Sequence, residues 1–116
     1  MARIEKQADS VRIHLQTNED CWFWERRFNV FDFLDIFPAE AISPKEQSGS
    51  RGQALHFETD AGFDFDSDIV RDGFYLRNQA QGTRRWMAAR EIRSGDIIVI
   101  ERLTPDTYRL SRDRSQ

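Results

Sequence analysis

At 116 residues and 13.7 kDa, with 39% hydrophobic and 12% aromatic residues, the chain can bury the core of one domain and is too short for a second. That composition excludes disorder over most of the length, and a single cysteine, Cys21, excludes an intrachain disulfide framework. A formal net charge of −3 hides an asymmetry: residues 1–70 carry seven Lys+Arg against fourteen Asp+Glu, whereas residues 71–116 carry ten against six, as expected of a polyanion-binding face on an acidic body.

The opening run MARIEKQADS has no apolar stretch, and no segment approaches the ~20 apolar residues of a membrane span, so a cytoplasmic protein without membrane contact is expected. Residues 1–9 and 111–116 are polar and are expected to fray, leaving a core over about 10–112 of a single domain spanning 1–116. Val11–Leu15 alternates apolar and polar residues with period two and predicts a first strand. Between Cys21 and Pro38, aromatic residues crowd without a clear period. A short strand near Trp22–Trp24 and a helical turn near Asp32–Ile36, ended by Pro38, are the expectation. Ser43–Gly52 is the most loop-like stretch of the chain.

Ala54–Thr59 and Phe63–Val70 are strand-like runs separated by Asp60-Ala61-Gly62, where glycine supplies positive φ, so they predict a hairpin. Phe74–Arg77 predicts a further strand, broken at Asn78–Gly82, after which Thr83 is placed to cap a short helix over Arg84–Glu91. Ser94-Gly95-Asp96 turns into Ile97–Glu101, an apolar run suited to a buried strand, and Pro105-Asp106 turns into a last strand, Thr107–Leu110. Six or seven strands and two short helices, without alternation of strand and helix, predict a mainly β, partly open barrel.

Metal binding fails on inventory. His14, His56 and Cys21 have no zinc-like spacing, and Asp64, Asp66 and Asp68 lack the glycine and glutamate that a calcium loop needs; three acids at alternate strand positions predict an outward, solvated face. Two histidines without a nucleophile elbow do not support a hydrolase, and no phosphate loop occurs. A non-catalytic binding domain without metal or other cofactor is therefore expected.

Fifteen of the seventeen basic residues are Arg, whose planar fork suits phosphates and guanine edges. Arg77-Asn78-Gln79-Ala80-Gln81-Gly82 gathers a guanine-type reader with three adenine-type amide readers on one connection. Thr83 and the helix start behind it would hold a phosphate, with Arg84 and Arg85 adding charge.

Phe37-Pro38 before a polar loop, Phe57-x-Thr59-Asp60-x-Gly62, Ser67-Asp68-Ile69, Phe74–Arg77, Arg85-Trp86, Gly95–Ile100 and Tyr108-Arg109-Leu110 occur in an order that resembles the B-three-type DNA-binding pseudobarrel. That fold occurs in plant transcription factors and in the effector domains of EcoRII-type restriction endonucleases; the resemblance covers residues ~28–112. It implies an open seven-stranded pseudobarrel with two short helices, gripping the major groove of double-stranded DNA with two arms. The N-terminal arm would lie in Ser43–Gln53, with Lys45, Gln47, Ser48, Ser50 and Arg51 as contacts. The C-terminal arm would be Arg77–Arg85, with Arg77, Asn78, Gln79 and Gln81 toward bases and Arg84 and Arg85 toward phosphates. An RNA-binding barrel and a protein-interaction adaptor with an Arg-rich face remain alternatives, and the aromatic segment Trp22–Phe33 is a candidate surface for a protein partner.

Overall fold

The computed structural model describes residues 1–44 and 50–114. In chain order its strands are β1 (Arg3–Lys6), β2 (Ser10–His14), β3 (Leu55–Thr59), β4 (Asp64–Ser67), β5 (Ile69–Val70), β6 (Tyr75–Leu76), β7 (Asp96–Thr104) and β8 (Thr107–Arg114), with helices α1 (Asn18–Arg26) and α2 (Arg84–Ala89). Short 3-10 turns cover Phe31–Ile36 and Ala39–Ala41, and a π-turn over Gln79–Thr83 runs directly into α2.

The larger sheet has the order β1-β2-β7-β8-β3-β4, with β3 parallel to β8 and every other pair antiparallel; β5 and β6 form a separate two-stranded ribbon. The protein is thus mainly β with few short helices, and its sheet is open, with β1 and β4 as unjoined edges. Among the described residues eight strands are present where seven were expected: β1 forms from residues expected to fray, the expected strand Phe63–Val70 divides into β4 and β5, and the one expected near Trp22–Trp24 is absent. At the other end, residues expected to fray extend β8 to Arg114. Hydrogen bonding along a strand is a backbone property, and an edge strand is where charged side chains such as Arg3, Glu5 and Lys6 belong.

β7 is one of the two central strands; of the expected buried run Ile97–Glu101, Ile97–Ile100 is buried at every position and Glu101 is exposed. Ile98 and Ile100 enter the main core with Val11, Ile13, Phe57, Leu110 and the fully buried Trp86. Ile97 and Val99 point to the other face, where their cross-strand neighbours are Arg12, His14, Ser111 and Asp113. There Arg12 pairs with Asp113 at 2.6 Å and His14 with Glu5 at 2.9 Å, so the stems of polar side chains cover these two apolar residues.

The expected strand near Trp22–Trp24 is instead α1. Its start is a capping box: the Thr17 hydroxyl accepts from Asp20 N at 3.1 Å while the Asp20 carboxylate accepts from Thr17 N at 3.0 Å and Gln16 N at 2.7 Å. Helical spacing then buries Asp20 and Trp24 and turns Trp22 and Phe23 outward. The β3–β4 hairpin turns where expected, with Gly62 at φ 84°. Asp60, at the same turn, reaches across the fold: it accepts from Trp86 Nε1 at 2.7 Å and from Arg112 N at 2.9 Å, tying α2 and β8 to the hairpin. Tyr108, fully buried, donates its hydroxyl to the Ile36 carbonyl at 2.7 Å and so fixes the 3-10 turn to β8.

Candidate nucleic-acid interface

Alternation along β4 turns Asp64 and Asp66 to solvent, but the strand ends at Ser67 and the chain bends before β5, so Asp68 points inward and is 4% exposed. The expected outward face of three acids is therefore two acids and a buried carboxylate. Asp68 accepts from Arg77 Nε at 2.7 Å, Arg77 Nη2 at 3.1 Å and Gly52 N at 2.8 Å. Burial pushes its pKa up, yet the Arg77 bonds and the Gly52 N–H outweigh that and hold it below the usual carboxylate range; the same pairing raises Arg77. The second Arg77 prong also donates to the Ser50 carbonyl at 3.3 Å.

Both loops that the sequence marks as arms are rooted around this carboxylate. On the N-terminal side, Ser43 N donates to Ile69 O at 2.9 Å, Arg71 returns two bonds to Ser43, and Gln53 N donates to Glu40 O at 2.7 Å. Gly52 lies against the Ala41 carbonyl so closely that a Cβ would collide with it, which is why glycine stands there. On the C-terminal side, Arg77 N donates to Asp68 O at 3.1 Å, and Asn78 is held by Ser67 Oγ at 2.9 Å and by the Asp66 carbonyl at 2.9 Å. Lys45, Gln47 and Ser48 lie outside the described residues. Ser50 and Arg77 are brought into contact, while Arg51 and Gln81 are exposed and Asn78 and Gln79 half-buried.

Arg84 and Arg85 diverge. Arg84 donates to the carbonyls of Glu25 and Arg26, both at 3.2 Å, and caps the C-terminal end of α1. Arg85 lies 3.9 Å from the centre of the Phe63 ring, over the β3–β4 turn. Both remain exposed.

Thr83 does not cap a helix. It has helical φ and ψ (−62°, −41°), is 1% exposed and closes the π-turn, in which Arg84 N donates to Gln79 O. The helical backbone begins five residues earlier than the capping pattern implies, so no exposed N–H groups gather at Thr83 for a phosphate. Gly82 lets this turn sit on Phe65, whose ring a Cβ would meet at 2.6 Å.

Sequence reasoning missed Asp68 as the joint of the two arms. The available signal was an acid directly after an alternating strand and directly before a buried Ile, where the outward register could not continue. Among the described residues, no three His, Cys, Asp or Glu side chains are placed to hold a metal ion, and no helix is long and apolar enough to cross a membrane. Comparison with protein-family models, curated proteins and solved structures finds no match to this chain.

Proposed function

We propose that this chain is a non-catalytic domain that recognises double-stranded DNA by sequence, an open pseudobarrel gripping the major groove with two arms in the manner of restriction-endonuclease effector domains. The observation that supports this reading best is the common root of the arms at Asp68, which binds Gly52 N on one and the Arg77 guanidinium on the other. Loops rooted together can enter one groove; loops rooted at opposite ends of a sheet cannot.

In this reading Arg77 braces the arms. Its fork could reach a guanine only by abandoning a buried carboxylate, a change that costs about 3–5 kcal/mol. Base edges then fall to Asn78, Gln79 and Gln81 on one arm and to Lys45, Gln47, Ser48, Ser50 and Arg51 on the other, while Arg84 and Arg85 approach phosphates. With a net charge of −3, affinity depends on these few cations and falls steeply with salt.

Selection from a randomised duplex pool, with single-stranded DNA and RNA as competitors at near-physiological salt, tests the proposal. A duplex motif should be enriched. Capture by the RNA competitor would support an RNA-binding barrel instead, and retention of no nucleic acid would favour a protein-interaction adaptor.

A further inference from the structure

A groove of about 860 Å³ lies between β1 and α1, with Gly73 and Phe74 at its far end. Its volume is within the ~300–1,000 Å³ typical of ligand sites. Three of its aromatic residues face solvent far more than such side chains ordinarily do: Trp22 is 59% exposed, Phe23 46% and Phe31 59%. Phe74 completes the aromatic wall. It is held at φ 49°, a left-handed conformation that aromatic residues rarely adopt, and its carbonyl accepts from Val30 N at 2.8 Å while its ring packs 5.5 Å from that of Phe31.

The charged side chains that line the groove are the acids Glu19, Asp20 and Asp32; the Met1 α-ammonium, also in the lining, lies 3.6 Å from Asp20 Oδ1 and leaves Glu19 and Asp32 as the other charges of the groove. Asp20 is consumed by the capping box of α1, but Glu19 and Asp32 are exposed at the rim. One aromatic residue of the wall already accepts a cation: the Arg26 guanidinium lies 4.8 Å from the centre of the Trp22 ring. Acids at the rim repel a phosphate backbone and an anionic membrane alike, whereas aromatic faces beside carboxylates suit a guanidinium or ammonium carried on an apolar stem.

We infer that this groove docks a short segment of a partner protein that presents an Arg or Lys next to apolar side chains, the cation between Glu19 and Asp32 and the apolar groups against Trp22, Phe23 and Phe31. This inference does not depend on the DNA reading, because none of the arm residues lines the groove.

Affinity selection of a displayed library of random short peptides on the full chain is the test, with recovered peptides then titrated against intrinsic tryptophan fluorescence. Recovered peptides should pair a basic with an aromatic or aliphatic residue. The double variant Glu19→Gln, Asp32→Asn should weaken them roughly tenfold, as for two partly desolvated charge pairs, with most of the loss in salt-sensitive binding. Trp22→Ser with Phe31→Ser should abolish binding while leaving the duplex selection of the chain unchanged; both side chains are exposed, so the fold, checked by circular dichroism, should survive. Enrichment of peptides without basic residues, binding indifferent to the charge-neutral variant, failure to enrich any peptide, or self-association of the chain that the Trp22 and Phe31 variants abolish would each overturn the proposal.

Discussion

Asp68 and Arg77 form a two-pronged ion pair, at 2.7 and 3.1 Å, in which the carboxylate is 4% exposed and the guanidinium side chain 26%. Its third partner, Gly52 N, belongs to the other arm. Removing the carboxylate with Asp68→Ala leaves the Gly52 N–H without its acceptor and the half-buried guanidinium with the Ser50 carbonyl in place of a charged partner. The expected loss is about 2–4 kcal/mol, read from denaturant midpoints. Amide exchange at Gly52 should accelerate more than at Ile98, because the arm root opens before the central strand does. Because pairing holds the folded Asp68 pKa below its unfolded value, its stabilisation is complete above that unfolded value and is lost as pH falls through the lower, folded one. Asp68→Asn should therefore flatten the acid limb of stability against pH; an unchanged limb would show that the pair contributes nothing to folding.

How far the sequence reveals this arrangement depends on whether a residue's partner is local. The β3–β4 hairpin was legible because alternation and Gly62 carry the whole signal within a dozen residues, and β7 because an apolar run has few alternatives to burial. α1 was obscured by aromatics on every side, although Thr17-x-x-Asp20 was a readable helix start. β1 was hidden for the opposite reason: an edge strand with charged residues resembles a loose end until its pairing with β2 is known. Of the candidate site, Ser43–Gln53 and Arg77–Arg85 were readable only as polar segments, and the contact that joins their described ends was not readable at all. Asp68, Gly52 and Arg77 are brought together by topology alone.

His56, on β3, faces Asp66 at 2.7 Å and Asp64 at 3.2 Å across the hairpin, and its pKa is raised above the ordinary ~6.5, first by the bond to Asp66 and also by Asp64. A raised folded value means that the charged pair stabilises fully below the unfolded pKa and that this contribution disappears as pH rises through the folded one. Thermal unfolding from slightly acidic to mildly alkaline pH should show a falling midpoint that His56→Gln removes. The side chain is 44% exposed, so salt should diminish the effect. A midpoint that rose over this range would contradict the assigned partners.

Gly52→Ala tests how tightly the first arm is rooted. The added methyl would meet the carbonyl of Ala41 and the backbone of Ile42, neither of which can rotate away. Destabilisation of about 1–3 kcal/mol is expected, comparable to overpacking a core. Sequence-specific duplex affinity should fall further than stability alone requires, because displacing Gly52 also breaks its bond to Asp68. Equal stability with the parent would show that the loop stem has another place to go.

Arg84 and Arg85 have separable roles despite their adjacency. Arg84→Ala should lower stability by about 0.5–1 kcal/mol, since it uncovers the carbonyls at the end of α1. Arg85→Ala releases only a surface stack on Phe63 and should leave the melting temperature nearly unchanged. Each replacement should reduce the slope of log affinity against log salt by roughly one unit if each arginine meets one phosphate. A slope that neither substitution alters would assign both residues to the solvated surface.

With the Arg77 fork committed to Asp68, the proposed DNA reading leaves Gln81 and Asn78 as amide readers of the second loop, one exposed and one half-buried beside the Asp66 carbonyl. An amide presented to adenine donates to N7 and accepts from N6, a pairing that alanine cannot make. Gln81→Ala should therefore cost about 1–3 kcal/mol on the selected duplex and almost nothing on a random one, measured at the same salt. Arg77→Lys, which keeps the charge but breaks the two-pronged bond, should instead lower affinity for both duplexes together with stability, because it loosens the root of both arms. The reverse pattern, with Arg77→Lys erasing the preference and Gln81→Ala changing nothing, would return the reading of bases to Arg77 and require Asp68 to release it on binding.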